Sequence, residues 1–269
     1  MKKKILFGLL GLVVAMFTMT ACSNDDDDNN GGASGLKLTS IETSEEGPYG
    51  WKENVTNTYD EQGRIKKYSW SYNGKKATYT YDYQGNTIKM TEYDGDDNVE
   101  GTTTKYTLEN GVITKGVETN DEGEVVRKYY FSYDKDGQLV SITTGNHEVS
   151  IVWKDGNIES YTEKDGSSLY QYTCKYTSES AVKGLVVDNW GLELGVFDTQ
   201  EHMLFKLGYF GKQPKNLLAS VHENHLSYED DYTYFYGFEG KDGYVSSCTI
   251  TRTYKSGGTT TYVEKYTWE

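Results

Sequence analysis

Aromatic and polar side chains alternate along most of this chain with a period of two residues. Between residues 67 and 72 every second position is Tyr or Trp, and Lys or Ser lies between them. The same alternation recurs at 77–81, 170–176, 232–236 and 262–268. Because successive side chains of a β-strand point to opposite faces, this pattern predicts strands with one aromatic face and one hydrophilic face.

A short turn sequence separates many of these strands. Copies that run from Tyr-Asp through Gly to an aliphatic residue occupy 59–65, 81–88 and 133–139, and degenerate copies occupy 108–113 and 153–158. Glycine adopts the positive φ of tight turns without strain. Other hairpin-type turns lie between the copies, at 73–74, 94–95, 120–123, 145–146, 164–166 and 256–258. Connections this short cannot cross over to a parallel strand, so we predict an antiparallel meander of about fourteen strands.

The hydrophilic faces indicate how the sheet curls. A barrel that crosses a membrane presents an apolar band to lipid, whereas the faces opposite the aromatic residues carry Thr, Ser, Lys and Glu. A spanning pore is therefore disfavoured, and the aromatic face should line the interior of the sheet. We predict an all-β fold, in which an antiparallel β-meander curls into a barrel-like sheet.

One segment interrupts the alternation. Residues 178–227 concentrate aliphatic side chains between glycines, which favours a short, mostly helical or irregular insert packed on or in the sheet. The strand pattern continues on both sides of this segment. Residues 36–269 are therefore predicted to form a single β-meander domain that contains the insert.

The N-terminal segment predicts export and lipidation. Three lysines at 2–4 precede an apolar stretch at 5–17, and small residues lead to Cys22. The apolar stretch is shorter than the roughly 20 residues that a transmembrane helix needs, which favours a signal peptide at 1–21. The residues before Cys22 resemble a bacterial lipobox, so we expect Cys22 to carry the acyl chains that hold the protein to the outer membrane.

Residues 22–35 are predicted to form a disordered acidic tether. They include four consecutive aspartates and no large apolar side chain that could be buried. The run resembles the acidic export signal of Bacteroidetes lipoproteins, which implies display on the cell surface, and a spacer on the periplasmic face is the alternative. Loss of the leader removes three lysines and changes the net charge from −14 to −17, which argues against nucleic-acid binding.

Several of these features together resemble one protein family. The lipobox, the acidic tether, the Tyr-Asp turns and the segment 207–217 are similar to those of an uncharacterised Bacteroidetes lipoprotein family, a domain of unknown function with a porin-like fold. The Tyr-Asp units also resemble YD repeats of the RHS type. The resemblance implies a β-barrel-like fold and a surface lipoprotein, and it implies no catalytic residues.

Two segments are weak candidates for metal binding. Oxygen ligands alternate as in the first half of a calcium loop at Asp94, Asp96, Asn98 and Glu100. Val99 and Lys105 occupy the positions of the turn glycine and the last glutamate of that loop, so an ordinary acidic hairpin is favoured. His222 and His225 lack the zincin spacing and a third ligand, which favours an exposed loop. We therefore predict no metal site and no cofactor.

The cysteines remaining after lipidation, Cys174 and Cys248, lie on aromatic faces in a compartment that permits disulfides. The meander places a strand, 228–236, between their strands, which separates the two sulfur atoms. Two buried thiols are therefore favoured, and a disulfide is the alternative.

No catalytic motif accompanies the predicted fold. The chain contains no Gly-x-Ser-x-Gly elbow, phosphate-binding glycine loop or Cys-x-x-Cys pair, so we do not predict an enzyme. Exposed rings beside Asp or Asn are typical of sugar-stacking surfaces, and the candidates outside the clearest stripes are Trp51, Trp153 and Trp190.

These observations favour a monomeric, noncatalytic binding or interaction module at the cell surface, with a glycan or protein as its ligand. Two alternatives stay open. One is a carrier that holds a small apolar or amphipathic molecule between the sheet and the insert. The other is a glycan-active enzyme with paired acids in a groove.

Overall fold

Sixteen β-strands form one closed antiparallel barrel. The computed structural model describes residues 35–47, 50–95, 99–185, 199–225 and 228–269. The predicted all-β meander is confirmed, and the structure refines it in two respects. The barrel closes completely, and it contains sixteen strands where the sequence indicated about fourteen.

The strands alternate in direction and follow one another along the chain. Their bounds are β1 (Leu38–Glu45), β2 (Lys52–Tyr59), β3 (Ile65–Tyr72), β4 (Lys75–Gln84), β5 (Thr87–Asp94), β6 (Val99–Glu109), β7 (Val112–Thr119), β8 (Val125–Tyr133), β9 (Leu139–Thr144), β10 (His147–Lys154), β11 (Asn157–Asp165), β12 (Ser168–Ser180), β13 (Asn216–His225), β14 (Tyr228–Gly237), β15 (Ser247–Tyr254) and β16 (Thr259–Trp268). One α-helix, α1 (Thr199–Lys206), and two 3-10 turns, Ala181–Lys183 and Lys241–Gly243, complete the described elements. No helix within the described ranges has the length and hydropathy of a membrane span.

Pairing between the first and last strands closes the barrel. Ile41 of β1 lies opposite Tyr266 of β16 on one side and opposite Val55 of β2 on the other. Closure of this kind leaves no unpaired strand edge. The aromatic face points inward as predicted, since Tyr68 on β3 is buried while its neighbour Lys67 is exposed.

The meander gives the barrel two different ends. The turns that follow β2, β4, β6, β8 and β10 lie at one end, together with the insert between β12 and β13; we call this the insert end. The chain also enters and leaves the barrel there, where the main chains of Lys37 and Glu269 exchange hydrogen bonds of 2.6 and 2.9 Å. The turns that follow the odd-numbered strands lie at the opposite end, which we call the far end.

The aspartate and glycine of the Tyr-Asp turns shape the hairpins of the insert end. The Asp60 carboxylate accepts hydrogen bonds from the main-chain N–H groups of Gln62 (3.0 Å) and Arg64 (2.9 Å). Gly63 adopts a φ of +79°, which a residue with a Cβ rarely takes. The turn after β8 repeats the same arrangement around Asp134. Local hydrogen bonding therefore accounts for the recurrence of Asp and Gly.

Aromatic residues at the insert end have a separate role, because they tie neighbouring strands together. Ring O–H or N–H groups at the ends of five even-numbered strands donate to main-chain carbonyls close to the start of the preceding odd-numbered strand. The pairs are Tyr59 to Leu38 (2.7 Å), Tyr83 to Ile65 (2.8 Å), Tyr133 to Ile113 (2.6 Å), Trp153 to Leu139 (2.8 Å) and Trp268 to Val245 (2.7 Å). The five acceptor residues are 0 or 1% exposed, so they form an aliphatic ring inside this end of the barrel.

The described part of the insert packs inside this ring. Met203, Leu204 and Phe205 of α1 are 0 to 2% exposed, and the ring of Phe210 lies 5.0 Å from that of Phe131. The side chain of Asn57 donates to the sulfur of Met203 at 3.7 Å. The predicted insert is confirmed in position but is shorter than 178–227, because residues 216–225 form strand β13. A closed barrel of this many strands is too wide for its own side chains to fill, which is why the insert is needed.

Candidate functional site

The inner wall of the barrel becomes polar towards the far end. Inward positions of β13, β14 and β16 carry the buried carboxylates of Glu223, Asp230 and Glu264, which are 6, 4 and 6% exposed. Buried carboxylates require hydrogen bonds or cations to compensate for lost hydration. All three have such partners, with the Tyr266 hydroxyl donating to Glu264, and the arrangement around Glu223 and Asp230 defines the candidate site.

Glu223 accepts hydrogen bonds from three tyrosines. The hydroxyl of Tyr228 donates to it at 2.8 Å, and those of Tyr172 and Tyr232 donate at 3.3 Å. The hydroxyl groups come from β12 and β14, the two strands that flank β13. Burial, followed by the hydrogen bond to Glu223, raises the pKa of Tyr228, so this tyrosine stays protonated and keeps donating.

Asp230 pairs with Arg252 across the β14 and β15 ladder. Nε and Nη2 of Arg252 donate to the same carboxylate oxygen, Oδ2, at 3.0 and 2.6 Å. The guanidinium lies over two aromatic rings, at 5.3 Å from the ring centre of Tyr232 and 4.9 Å from that of Tyr254. Burial lowers the pKa of Arg252, but the hydrogen bond that it donates to Asp230 outweighs this effect and the net pKa is raised. Arg252 therefore remains a fixed cation in the wall.

A histidine–carboxylate pair lies further around the same end. Nε2 of His147 on β10 lies 2.8 Å from Oε1 of Glu163 on β11. Burial raises the pKa of Glu163, the nearby His147 opposes that rise, and the charge of Glu223 adds to it. The two carboxylates are thus close enough to influence each other, which joins this pair electrostatically to the tyrosine cluster.

A pocket of about 450 Å³ opens at the rim of the far end, where β14 begins and β15 ends. Its lining includes Tyr228, Asp230, Arg252 and Tyr254, together with the ion pair of Glu229 and Lys255. This volume falls within the usual range of small-molecule sites. The pocket is therefore a candidate site for a small molecule.

Trp51 and Trp153, two of the tryptophans predicted to contact a ligand, do not line this pocket. Trp153 is half-buried at the insert end and donates to the carbonyl of Leu139, so its indole N–H forms one of the hydrogen bonds to the aliphatic ring. Trp51 is half-buried at the far end, with its ring centre 5.4 Å from that of Tyr72. Trp190 lies outside the described residues. The structure places Trp51 and Trp153 at opposite ends of the barrel and does not bring them together.

The weak metal candidates form no cluster in the part of the chain that the structure describes. Asp94 is exposed at the end of β5, the positions of Asp96 and Asn98 lie outside the described residues, and so does the side chain of Glu100. Among the described residues, no group of three or more His, Cys, Asp or Glu side chains is arranged to hold a metal ion.

The two histidines of the segment 222–225 separate to opposite faces of β13. His222 points outward, where Nδ1 lies 2.9 Å from a carboxylate oxygen of Asp231. The ring of His225 stacks on that of Tyr170 with 4.4 Å between their centres. The predicted exposed loop is wrong, because the segment lies in a strand, and this alternation keeps the two imidazoles apart.

Cys174 and Cys248 do not form a disulfide. They lie on β12 and β15, and β13 and β14 separate these strands. Each thiol is buried in the core, at 7 and 1% exposed. The prediction of two buried thiols is confirmed.

Asp230, Arg252 and Tyr254 were not among the site residues predicted from the sequence. The sequence did contain a signal for Asp230. When the alternation of the aromatic stripe 232–236 is extended by one step towards the N-terminus, Asp230 falls on the same inward face. Arg252 occupies an inward position on β15 opposite Tyr232, so it lies diagonally across from Asp230. The two residues are 22 positions apart, and only the register of the two strands shows that they meet.

Comparisons with known proteins support the fold. No curated protein matches the chain. A porin-like protein from Bacteroides uniformis ATCC 8492 is 19% identical with a TM-score of 0.67, over 88% of this chain and 98% of that chain. A porin-like protein from Bacteroides vulgatus ATCC 8482 is 11% identical with a TM-score of 0.53, over 87% of this chain and 99% of that chain. At these identities the similarity shows the fold alone.

A sequence family matches a span that contains most of the barrel. It is described as a domain of unknown function (DUF4595) with porin-like fold, and it matches residues 58–247. The span runs from the end of β2 to the start of β15 and includes the whole insert. The chain therefore belongs to the DUF4595 family of domains with a porin-like fold.

Proposed function

We propose that this protein is a noncatalytic binding module, held at the cell surface by acylation of Cys22, that takes its ligand at the far end of the barrel. The observation that carries the proposal is the position of the chain entry. Leu36 and Lys37 join the barrel at the insert end, whereas the pocket lies at the far end. An anchor at Cys22 therefore attaches to one end and leaves the other end facing away from the bilayer.

The polarity of the outer wall supports the proposal that the barrel stands beside the membrane and does not cross it. Most outward positions are polar, as in Lys67 and Ser69 of β3 and in Gln171, Thr173 and Lys175 of β12, and Phe235 is one of the apolar exceptions. A lipid-facing wall would carry an apolar band, and charges at its middle would cost several kcal/mol. Acyl chains on Cys22 attach the protein without placing this wall in lipid.

The tight packing of the described insert does not favour a carrier of apolar ligands. Leu204 and Phe210 are 0% exposed, and the hydroxyl of Tyr106 on the wall donates to Glu201 of α1 at 2.7 Å. Direct contacts of this kind use the surface that a ligand between sheet and insert would need. A glycan-active enzyme gains no support from Asp230, whose charge is already neutralised by Arg252.

Labelling of intact cells tests the anchor and the orientation. A cysteine is introduced at an exposed far-end turn by Glu122→Cys, and at an exposed insert-end turn by Glu61→Cys as the matched control. A large, membrane-impermeant polyethylene glycol maleimide should label the far-end cysteine faster, because the insert end faces the bilayer.

With Cys22→Ser added, both positions should label equally and the protein should be released from the membrane. Labelling only after lysis would contradict surface display, and faster labelling at Glu61→Cys would contradict the orientation.

A pull-down tests binding. Residues 22–269 with Cys22→Ser are applied in solution to glycan arrays. The same protein is immobilised and exposed to host matrix proteins and envelope extracts. We expect retention of at least one partner, with the loss of that partner when far-end residues are changed. A folded protein that retains nothing would overturn the proposal.

A further inference from the structure

The pocket at the far-end rim has balanced charges. Glu229 pairs with Lys255 at 2.8 Å, and Asp230 pairs with Arg252 at 2.6 Å. Each carboxylate therefore already faces its own cation. A ligand with a net charge would have to displace one of these partners, which leaves an uncompensated charge in a partly buried site.

The same charges disfavour an apolar ligand. Such a ligand would remove water from two carboxylates and two cations without replacing the hydrogen bonds that water makes. The charged groups instead offer closely spaced donors and acceptors, and hydrogen bonds to charged groups are stronger than those between neutral groups. A ligand rich in hydroxyl groups satisfies both sides of these pairs.

Two tyrosine rings supply an apolar surface beside the ion pairs. Tyr228 is 36% exposed at the rim, and Tyr254 is half-buried, with its hydroxyl 3.1 Å from Oγ1 of Thr260. The Arg252 guanidinium lies against the Tyr254 ring, and its pairing with Asp230 fixes its position. Aromatic rings held in place accept the flat apolar face of a ligand at little cost in conformational entropy.

We propose that this pocket binds a neutral saccharide, with a pyranose ring against Tyr254 and its hydroxyl groups on the Asp230 and Arg252 pair. A pyranose has an apolar C–H face and hydroxyl groups around its edge, which is the combination that the pocket offers. The pocket volume of about 450 Å³ accommodates a mono- or disaccharide. This inference rests on the proposed function and names the ligand class for its far-end site.

Saturation-transfer NMR and calorimetry with residues 22–269 carrying Cys22→Ser test the inference. The probes are maltose, cellobiose, lactose and N,N′-diacetylchitobiose, with glucuronic acid and glucosamine as charged counterparts. We expect at least one neutral disaccharide to bind, at least tenfold more tightly than either charged sugar. Tyr254→Ala should weaken that binding at least tenfold, and Tyr254→Phe should weaken it less than threefold, because the ring is kept.

Phe235→Ala is the matched control, since Phe235 lies on β14 but points outward and is 68% exposed. It should leave saccharide binding unchanged. Preference for a charged sugar, or binding that Tyr254→Ala does not affect, would overturn the inference. If no sugar binds but the envelope or matrix pull-down retains a protein, the binding module stands and the saccharide class is wrong. If neither assay detects a partner of the folded protein, both proposals fail.

Discussion

The hydroxyl of Tyr133 donates a hydrogen bond of 2.6 Å to the main-chain carbonyl of Ile113, across the β7 and β8 pair at the insert end. Burial raises the pKa of Tyr133, so the donor stays protonated. The same link recurs from Tyr59 and Tyr83. The aromatic residue of the Tyr-Asp turn is thus a structural cross-link between strands, in addition to its packing role.

Tyr133→Phe should lower the free energy of unfolding by about 1–2 kcal/mol, because it leaves the buried carbonyl of Ile113 without its donor. Denaturant unfolding followed by tryptophan fluorescence measures the change. Tyr130→Phe on the same strand is the control, since Tyr130 points outward and is 49% exposed. Equal effects of the two variants would show that the carbonyl link contributes nothing.

Gly211→Ala should destabilise the protein by at least about 2 kcal/mol. A Cβ on Gly211 would lie 2.5 Å from the main-chain oxygen of Gly137, where the insert meets the turn after β8. Gly211 also adopts a φ of +84°. Gly74→Ala isolates the backbone contribution, because Gly74 has a φ of +81° and no atom within 4 Å of its added Cβ. Comparable thermal shifts for the two variants would contradict the steric argument.

Lys206 makes the stability of the insert dependent on pH. Its ammonium donates to the carbonyls of Ala181, Val182 and Gly184 at 3.1, 3.0 and 2.7 Å. Burial lowers the pKa of Lys206 to about 8. Between that value and the usual lysine value of about 10.4, the unfolded chain binds more protons than the folded one, so stability rises with pH.

The stability of the wild type relative to Lys206→Met should therefore increase by about 1–3 kcal/mol from about pH 8 to about pH 10.4. Denaturant unfolding at several pH values measures this difference. Lys212→Met is the control, because Lys212 is exposed. A difference between wild type and Lys206→Met that stays constant over this window would refute the linkage.

Glu223→Gln should lower the free energy of unfolding by about 1–2 kcal/mol, since it replaces hydrogen bonds to a charged acceptor by weaker ones. Three tyrosine hydroxyls lose the carboxylate as their acceptor. Glu148→Gln, at an exposed outward position of β10, is the matched control. Unfolding midpoints that shift by the same amount in both variants would remove the special role of Glu223.

Much of the fold was predictable because its causes are local. The alternation around Tyr68 and the recurrence of Asp60 and Gly63 depend on neighbouring residues, and they determine strand, face and turn. The resemblance to a porin-like domain agreed with these patterns, and the family match confirmed it. Acylation of Cys22 and display at the surface stay predictions from the N-terminal sequence.

The rest depended on contacts between distant residues. Pairing of β1 with β16 decides that the barrel closes, and the inward direction of Trp153 gives that ring a carbonyl partner instead of an exposed surface. Register alone brings Asp230 to Arg252. By itself, then, the sequence determined the strands, their inner face and the turns, since each follows from the geometry of a few consecutive residues. Only the tertiary structure decided closure, the packing of the insert and the composition of the far-end pocket, because these depend on how separate strands align.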